Sequence, residues 1–276
     1  MTNSEEMHDH MEIESLLNSI QEYYGYDFRN YSKAHLKRRL NGFLEKTKIS
    51  SLSMLQYEVL RSRDLFTKML MHLSVNTTEM FRDPPFYQSL LKNVLPLLYT
   101  YPYLKIWHAG CSTGEEVYSM AILLAEANLI DRTQIYATDF NAMALEKAKE
   151  GIYPIKDLKT YDENYKEAGG KNSFSDYYTS GYDSIIMNQD VKRNILFATH
   201  NLTVDNVFSE MNLIMCRNVL IYFNTKLQNR VYSIFTGSLM KGGFLCLGSK
   251  EAFKNDSLDR DFSIIDAKFR IFKFKY

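Results

Sequence analysis

Residues able to do chemistry gather in four separated stretches. Gly110 and Gly114 bracket a small-residue turn, Gly-Cys-Ser-Thr-Gly, between the apolar run Leu104–His108 and an amphipathic stretch carrying Val117, Met120, Ala121 and Leu124. Glycines in such a turn let the backbone approach a ligand closely. Asp139 closes the run Ile135-Tyr-Ala-Thr-Asp, where a carboxylate can accept hydrogen bonds from both ribose hydroxyls of an adenosine. Arg217, Asn218 and Tyr222 follow Leu213-Ile-Met-Cys, and polar groups buried beside a pocket need partners. Asn201, in Phe197-Ala-Thr-His-Asn-Leu202, is placed to reach an adenine edge. The turn is not a mononucleotide P-loop, because no Gly-Lys-Ser/Thr follows, and it is not Gly-x-Gly-x-x-Gly. Turn and acid together indicate an adenosine-containing ligand and leave NAD and S-adenosylmethionine open. Asp139 also has a purely structural reading, as the N-cap of a helix Asn141–Glu150. His200 is read as structural, since nothing pairs it with a nucleophile.

These side chains need elements to hold them. Strand, glycine turn and helix open a doubly wound α/β fold, whose crevice lies at the carboxyl ends of its strands. Further strand candidates are Gln134–Thr138, Asn194–Ala198, Leu213–Arg217, Phe244–Gly248 and Phe269–Phe274, with helices at Ala142–Glu150 and Lys226–Met240. That alternation predicts a mostly parallel sheet with helices on both faces. Ser263–Ile265 is expected to pair with the last strand as a hairpin. Residues before about 100 read as helical. Met11–Tyr24 places Ile13, Leu16, Leu17 and Ile20 at helical spacing. Tyr31–Leu44 carries Lys33, Lys37, Arg38 and Arg39 on its polar face, either simply solvated or docking an acidic partner. Ser51–Leu60 and Arg61–Leu73 follow, with Ser51 or Ser53 as an N-cap. Asn76–Phe86, with its Pro84-Pro85 pair, fits a linker or substrate-lining loop; the plainer reading is a helix cap and a stop before Pro84. Tyr161–Lys192 is polar and too long for an ordinary loop, so an inserted subdomain or a lid is expected.

Bulk properties narrow the class. Of 276 residues, 45% are apolar and 24% charged, which are globular values. The formal net charge of +0 argues against a general nucleic-acid or membrane-surface binder. Cys111, Cys216 and Cys246 have no metal-ligand spacing and form no even disulfide set, so no metal is expected and reduced thiols in the cytoplasm are. The polar, acidic N-terminus does not read as a signal peptide, and no apolar run reaches the roughly 20 residues of a membrane span. No membrane insertion is expected, and a monomer is the expected state.

Four segments resemble the chemotaxis-receptor glutamate methyltransferases, the CheR family. They are Asn76-x-Thr78-x-x-Phe81-Arg82, Ser112-Thr-Gly-Glu-Glu116 with Tyr118-Ser119, Ala137-Thr-Asp139 with Gly151-Ile-Tyr153, and Cys216-Arg-Asn-Val-Leu-Ile-Tyr-Phe223. The match runs from about Tyr31 to the C-terminus. The resemblance implies an α/β, Rossmann-like class I S-adenosylmethionine methyltransferase domain with a small inserted antiparallel β-subdomain, preceded by an all-helical domain. Residues 1–75 would be the helical domain, 76–100 a linker lining the active site, and 101–276 the methyltransferase domain with its insert at about 161–192.

The same resemblance implies S-adenosyl-L-methionine as cofactor, S-adenosyl-L-homocysteine as product, and glutamate methyl esters on chemoreceptors as outcome. Asn76, Thr78 and Arg82 would approach the methionine end of the cofactor. Gly110 would lie in the pocket, Glu116 would hold the amino-acid or sugar portion, and Asp139 the ribose. Asn201 and Leu202 would lie beside the adenine, with Arg217 and Asn218 near the sulfur. Arg82 and Tyr222 would orient the acceptor carboxylate, Tyr222 beside the methyl group. Lys33, Lys37, Arg38 and Arg39 would steer the acidic helical region of a receptor at low salt. The sequence departs from the family pattern at Glu79, Met80 and Val117, where a small residue, Phe and Pro are usual. Val117 should be tolerated, because Pro at a helix start only pre-sets φ. Glu79 is expected to face outward or pair with Arg82. Rival readings are a carboxyl methyltransferase acting on another protein and a non-catalytic S-adenosylmethionine-binding module. A nicotinamide oxidoreductase lacks its glycine pattern here, and base methylation lacks the Pro-Pro-aromatic run after Asn218.

Overall fold

The computed structural model describes residues 3–74, 78–252 and 260–276. The chain divides into two compact units, Met1–Val75 with Ile221–Arg230, and Asn76–Leu220 with Val231–Tyr276.

The first unit is built on four helices: α1 (Asn3–Tyr24), α2 (Lys33–Thr47), α3 (Leu52–Arg61) and α4 (Arg63–Leu73). Their apolar positions recur every three to four residues and converge on one core. Leu16 and Ile20 of α1, Leu36 and Leu40 of α2, Leu55 and Val59 of α3, and Met69 and Leu70 of α4 are all buried. Ser51 caps α3 by accepting from the Met54 amide at 3.1 Å, and Ser62 caps α4 through the Leu65 amide at 3.2 Å. Segment Ile221–Arg230 completes this unit. Tyr31 and Phe223 form an antiparallel bridge, the Ser32 amide donates to the Tyr222 carbonyl at 2.7 Å, and the Asn224 amide donates to the Asn30 carbonyl at 2.9 Å.

The second unit starts with α5 (Pro84–Asn93) and α6 (Leu95–Leu98). Pro84 begins α5 rather than ending a helix, which suits a residue whose φ is pre-set and whose missing N–H would be orphaned anyway. The α/β pattern follows: β1 (Leu104–Ala109), α7 (Glu115–Glu126), β2 (Thr133–Asp139), α8 (Ala142–Glu150), β3 (Ile152–Pro154), α9 (Leu158–Glu167), β4 (Tyr178–Ser180), β5 (Ser184–Met187), α10 (Gln189–Lys192), β6 (Ile195–Thr199), β7 (Met211–Cys216), α11 (Thr225–Ser238), β8 (Leu239–Leu247), β9 (Phe262–Asp266) and β10 (Ile271–Phe274).

Among the described residues, seven strands form one sheet in the order β6-β2-β1-β7-β8-β10-β9. Strands β6, β2, β1, β7 and β8 run parallel, while β10 and β9 close the edge as the antiparallel hairpin that the sequence predicts. The strand order reverses between β1 and β7, and a crevice opens at the carboxyl ends of strands at such a switch. All six residues of β7 are buried, as expected of a strand covered on both faces. The architecture is that of a class I methyltransferase domain with a small antiparallel sheet, β3-β5-β4. That sheet draws in Ile152–Pro154, upstream of the polar stretch from 161. A three-residue strand holding a proline carries no period-two signal, so the sequence does not announce it. No helix among the described residues is long and apolar enough to cross a membrane.

Candidate functional site

The turn after β1 takes a backbone path that most residues avoid. Gly110, Ser112 and Gly114 all have positive φ, at 82°, 51° and 92°. A Cβ on Gly110 would stand 2.6 Å from Cγ2 of Val219, so the position requires glycine. Amides of Gly110 and Cys111 donate to the Thr138 carbonyl at 2.8 and 2.9 Å, tying the turn to the end of β2. Asp139 locks the same corner. Its Oδ2 accepts from the Ser112 amide and its Oδ1 from the Asn141 amide, both at 2.9 Å. Burial pushes its carboxyl pKa up, against the lowering effect of the Asn141, Ser112 and Phe140 amides. The N-cap of α8 is Asn141, whose side chain accepts from the Met143 and Ala144 amides, so Asp139 is not that cap.

A chain of charged groups runs from β1 to the loop before α5. Glu116, in the first turn of α7, has Oε1 3.3 Å from Nδ1 of His108 and Oε2 2.9 Å from Nη1 of Arg217. Arg217 Nη2 donates to Asp83 Oδ2 at 2.7 Å, and Nη1 also reaches the Arg82 carbonyl at 3.4 Å. The guanidinium lies 4.0 Å from the centre of the Phe86 ring. Burial alone would raise the Glu116 carboxyl; His108 and Arg217 outweigh it and hold it below the ordinary carboxylate range. Burial works against the charge on Arg217, and Glu116, Tyr87 and Asp83 more than restore it. The loop bearing Asp83 is itself strained, with Phe81 at φ 54° and Asp83 at φ 58°. It is anchored by the Phe81 amide, which donates to Ser119 Oγ at 2.8 Å. Strain of this kind persists only where the surroundings over-determine it.

The other expected residues fall in several places. Asn218, just past β7, has φ 61°, and its amide donates to Oε2 of buried Glu251 at 3.0 Å. The same oxygen accepts from the Gly248 amide at 2.6 Å, so one carboxylate ties together the ends of β7 and β8. Asn201 Oδ1 accepts from the Thr203 amide and hydroxyl at 3.0 and 2.8 Å, closing a turn that leaves Leu202 buried. His200 is buried with Nε2 3.1 Å from the Asn206 carbonyl and its ring edge-on to Trp107. Thr78, Glu79 and Arg82 are half-buried, and Asn76 lies outside the described residues.

Tyr222 belongs to the first unit, where its ring stands 4.6 Å from that of His35. The basic residues of α2 also lie there and do not form one free face. Lys33 pairs with Glu14 at 3.6 Å and contacts His10; Arg39 donates to the His72 carbonyl at the end of α4. Arg38 is exposed and Lys37 half-buried.

Comparison with known proteins matches two family descriptions in tandem. "CheR methyltransferase, all-alpha domain" covers residues 11–74, and "CheR methyltransferase, SAM binding domain" covers residues 76–271. The chain belongs to the CheR methyltransferase family. The protein named Cher3 of Pseudomonas putida is 47% identical over 95% of this chain and 96% of its own length. A chemotaxis protein methyltransferase of Vibrio cholerae is 33% identical, covering 80% and 82%, and one of Listeria monocytogenes is 28% identical, covering 84% and 86%.

The cofactor of this CheR protein is S-adenosylmethionine, and the residues at the crevice fit it. Arg217 Nε–H is buried and has no partner among the described residues, which suits an acceptor such as the cofactor's carboxylate. Asp139 accepts from backbone amides of the turn and of the chain after β2, and a carboxylate, with about four lone-pair positions, can accept from ribose hydroxyls as well. Two carboxylates, Glu116 and Asp83, share one guanidinium, and the surplus negative charge suits a cationic ligand. Three residues that hold the expected site residues escaped the sequence reading: Asp83 and His108, which contact Arg217 and Glu116, and Glu251, which accepts from the Asn218 amide.

Proposed function

We propose that the protein transfers the methyl group of S-adenosylmethionine to glutamate carboxylates in the helical cytoplasmic region of chemoreceptors, forming methyl esters. The observation that carries this reading is the Asp83–Arg217–Glu116 cluster, together with Asp139 at the carboxyl end of β2, in a sheet whose strand order reverses between β1 and β7. The relatives named chemotaxis protein methyltransferases support the choice of acceptor.

When bound, the cofactor supplies a methyl group on a positive sulfonium. Asp139 accepts from the ribose hydroxyls, Glu116 faces the cationic portion, and Arg217 Nε donates to an acceptor on the ligand. A glutamate acceptor is ionised at neutral pH, with a reference pKa of about 4.3, so no side chain has to remove its proton. What is left for the chain to do is align the acceptor and exclude water. Positioning of this kind can contribute roughly 7–11 kcal/mol. Arg82 and Tyr222 are proposed to orient the acceptor carboxylate. Lys33, Lys37 and Arg38 are proposed to attract the acidic receptor helices, a steering effect that weakens with salt. Arg39 has a structural task at the end of α4. A cytoplasmic monomer is the form proposed.

Calorimetric titration with S-adenosylhomocysteine tests the pocket. The wild type should bind in the micromolar range, and Asp139→Ala should bind much more weakly. Base-labile incorporation of labelled methyl into receptor fragments then tests the acceptor. Binding without base-labile transfer to any receptor fragment would overturn the chemoreceptor assignment.

A further inference from the structure

We infer that His108 is a positioning residue of the cofactor pocket, holding the Glu116 carboxylate in the orientation that meets the ligand. The inference rests on the reading of Glu116 as a cofactor residue.

His108 is the penultimate residue of β1, the strand beside the reversal of sheet order, and it is only 1% exposed. Its neighbours along β1, Ile106, Trp107 and Ala109, are apolar and equally buried. An imidazole there gives up its contacts with water, and its Nε2 has no partner among the described residues. Core packing alone would favour an apolar ring of similar size. Among the described residues, the one polar contact of its ring is the 3.3 Å approach of Nδ1 to Glu116 Oε1. An ionised carboxylate only accepts hydrogen bonds, so Nδ1 must carry the proton and donate it.

That bond completes the fixation of Glu116. Oε2 is already held from β7 by Arg217 Nη1 at 2.9 Å. Arg217 is in turn fixed by Asp83 at 2.7 Å and by the Phe86 ring beneath it. With only Arg217 the carboxylate could pivot about Oε2. With one oxygen held from β1 and the other from β7, its plane is set before the ligand arrives. Preorganisation of this kind saves the cost of ordering a side chain on binding. His108 and Arg217 also keep the carboxylate ionised despite its burial, as a cationic ligand requires.

Two substitutions separate positioning from packing. His108→Phe keeps the ring volume and removes the donor; His108→Asn keeps an N–H close to the Nδ1 position and leaves a cavity. Stability should follow volume, so the Phe variant should have a Tm at or above that of the wild type and the Asn variant a lower one. Affinity should follow the donor. His108→Phe should weaken S-adenosylhomocysteine binding roughly tenfold and raise the KM for S-adenosylmethionine by a similar factor, while kcat changes little. His108→Asn should stay within about threefold of the wild type, on the same reasoning. Wild-type affinity in the Phe variant, or equal losses in both variants, would overturn the inference. Glu116→Gln serves as the control. If it too binds like the wild type, the role given to Glu116 fails; if it loses affinity while His108→Phe does not, only the role of His108 fails.

Discussion

Glu115 should make the protein less stable as pH rises toward neutrality. This carboxyl is 6% exposed at the start of α7 and is hydrogen-bonded by the Thr113 hydroxyl at 2.7 and 3.0 Å, with no ion pair among the described residues. Burial pushes its pKa from an ordinary value of 4.5 up to about 7. Between those values the folded chain holds a proton that the unfolded chain has released, so stability is lost as pH rises through that window. At about 1.4 kcal/mol for each tenfold change in proton affinity, the cost above pH 7 is about 3 kcal/mol. Glu115→Gln keeps the shape and an acceptor for Thr113 but cannot ionise. The variant should exceed the wild type by about 3 kcal/mol at pH 8 and match it near pH 4.5, where both side chains are largely uncharged. Urea unfolding followed by Trp107 fluorescence reads this directly, because Trp107 is the only tryptophan in the chain and is wholly buried in β1. Wild-type and variant stabilities running parallel from pH 5 to pH 8 would refute the reasoning.

Other substitutions test separate parts of the structure. Gly110→Ala places a Cβ 2.6 Å from Val219 at φ 82° and should cost about 1–3 kcal/mol in urea unfolding, with weaker S-adenosylhomocysteine binding in calorimetry. Tyr222→Phe should lower kcat with little change in cofactor affinity; unchanged turnover would remove the hydroxyl from the mechanism. Arg38→Glu should slow methylation of receptor fragments at low salt and leave cofactor binding intact, whereas Arg39→Met should lower Tm by removing the donor to the His72 carbonyl.

The sheet was legible because its central strands are continuous apolar runs and its helices repeat apolar residues at helical spacing. β1, β2, β6 and β7 fall within one or two residues of the runs that predict them. The glycine turn and Asp139 were legible because the chemistry of close backbone approach selects few residue types. β8 is longer than its predicted run because α11 passes into it at Ser238 and Leu239 with no turn residue between them. His108 and Asp83 were not legible. Each owes its role to a partner brought near by the fold: Asp83 meets Arg217 across 134 residues of chain, and His108 meets Glu116 across a strand-to-helix turn. Hydrophobic periodicity places a residue in an element and says nothing about which distant side chain will face it. The return of Ile221–Arg230 to the helical unit was equally invisible in the sequence, because its partners Asn30, Tyr31 and Ser32 lie far earlier in the chain.

The return of Ile221–Arg230 to the first unit also sets an order of events during synthesis. The four helices emerge first, and their local contacts can form early. Tyr31, Ser32 and Asn30 must wait for Phe223, Tyr222 and Asn224, nearly two hundred residues later. β1 also waits for β7: the Lys105 amide and its acceptor on Asn212 are 107 residues apart. Long-range pairings of this kind are slow to form. The helical unit cannot be finished before about residue 230 is made, and the sheet of the second unit not before β10, so the helices stay incomplete through most of translation and both units mature late.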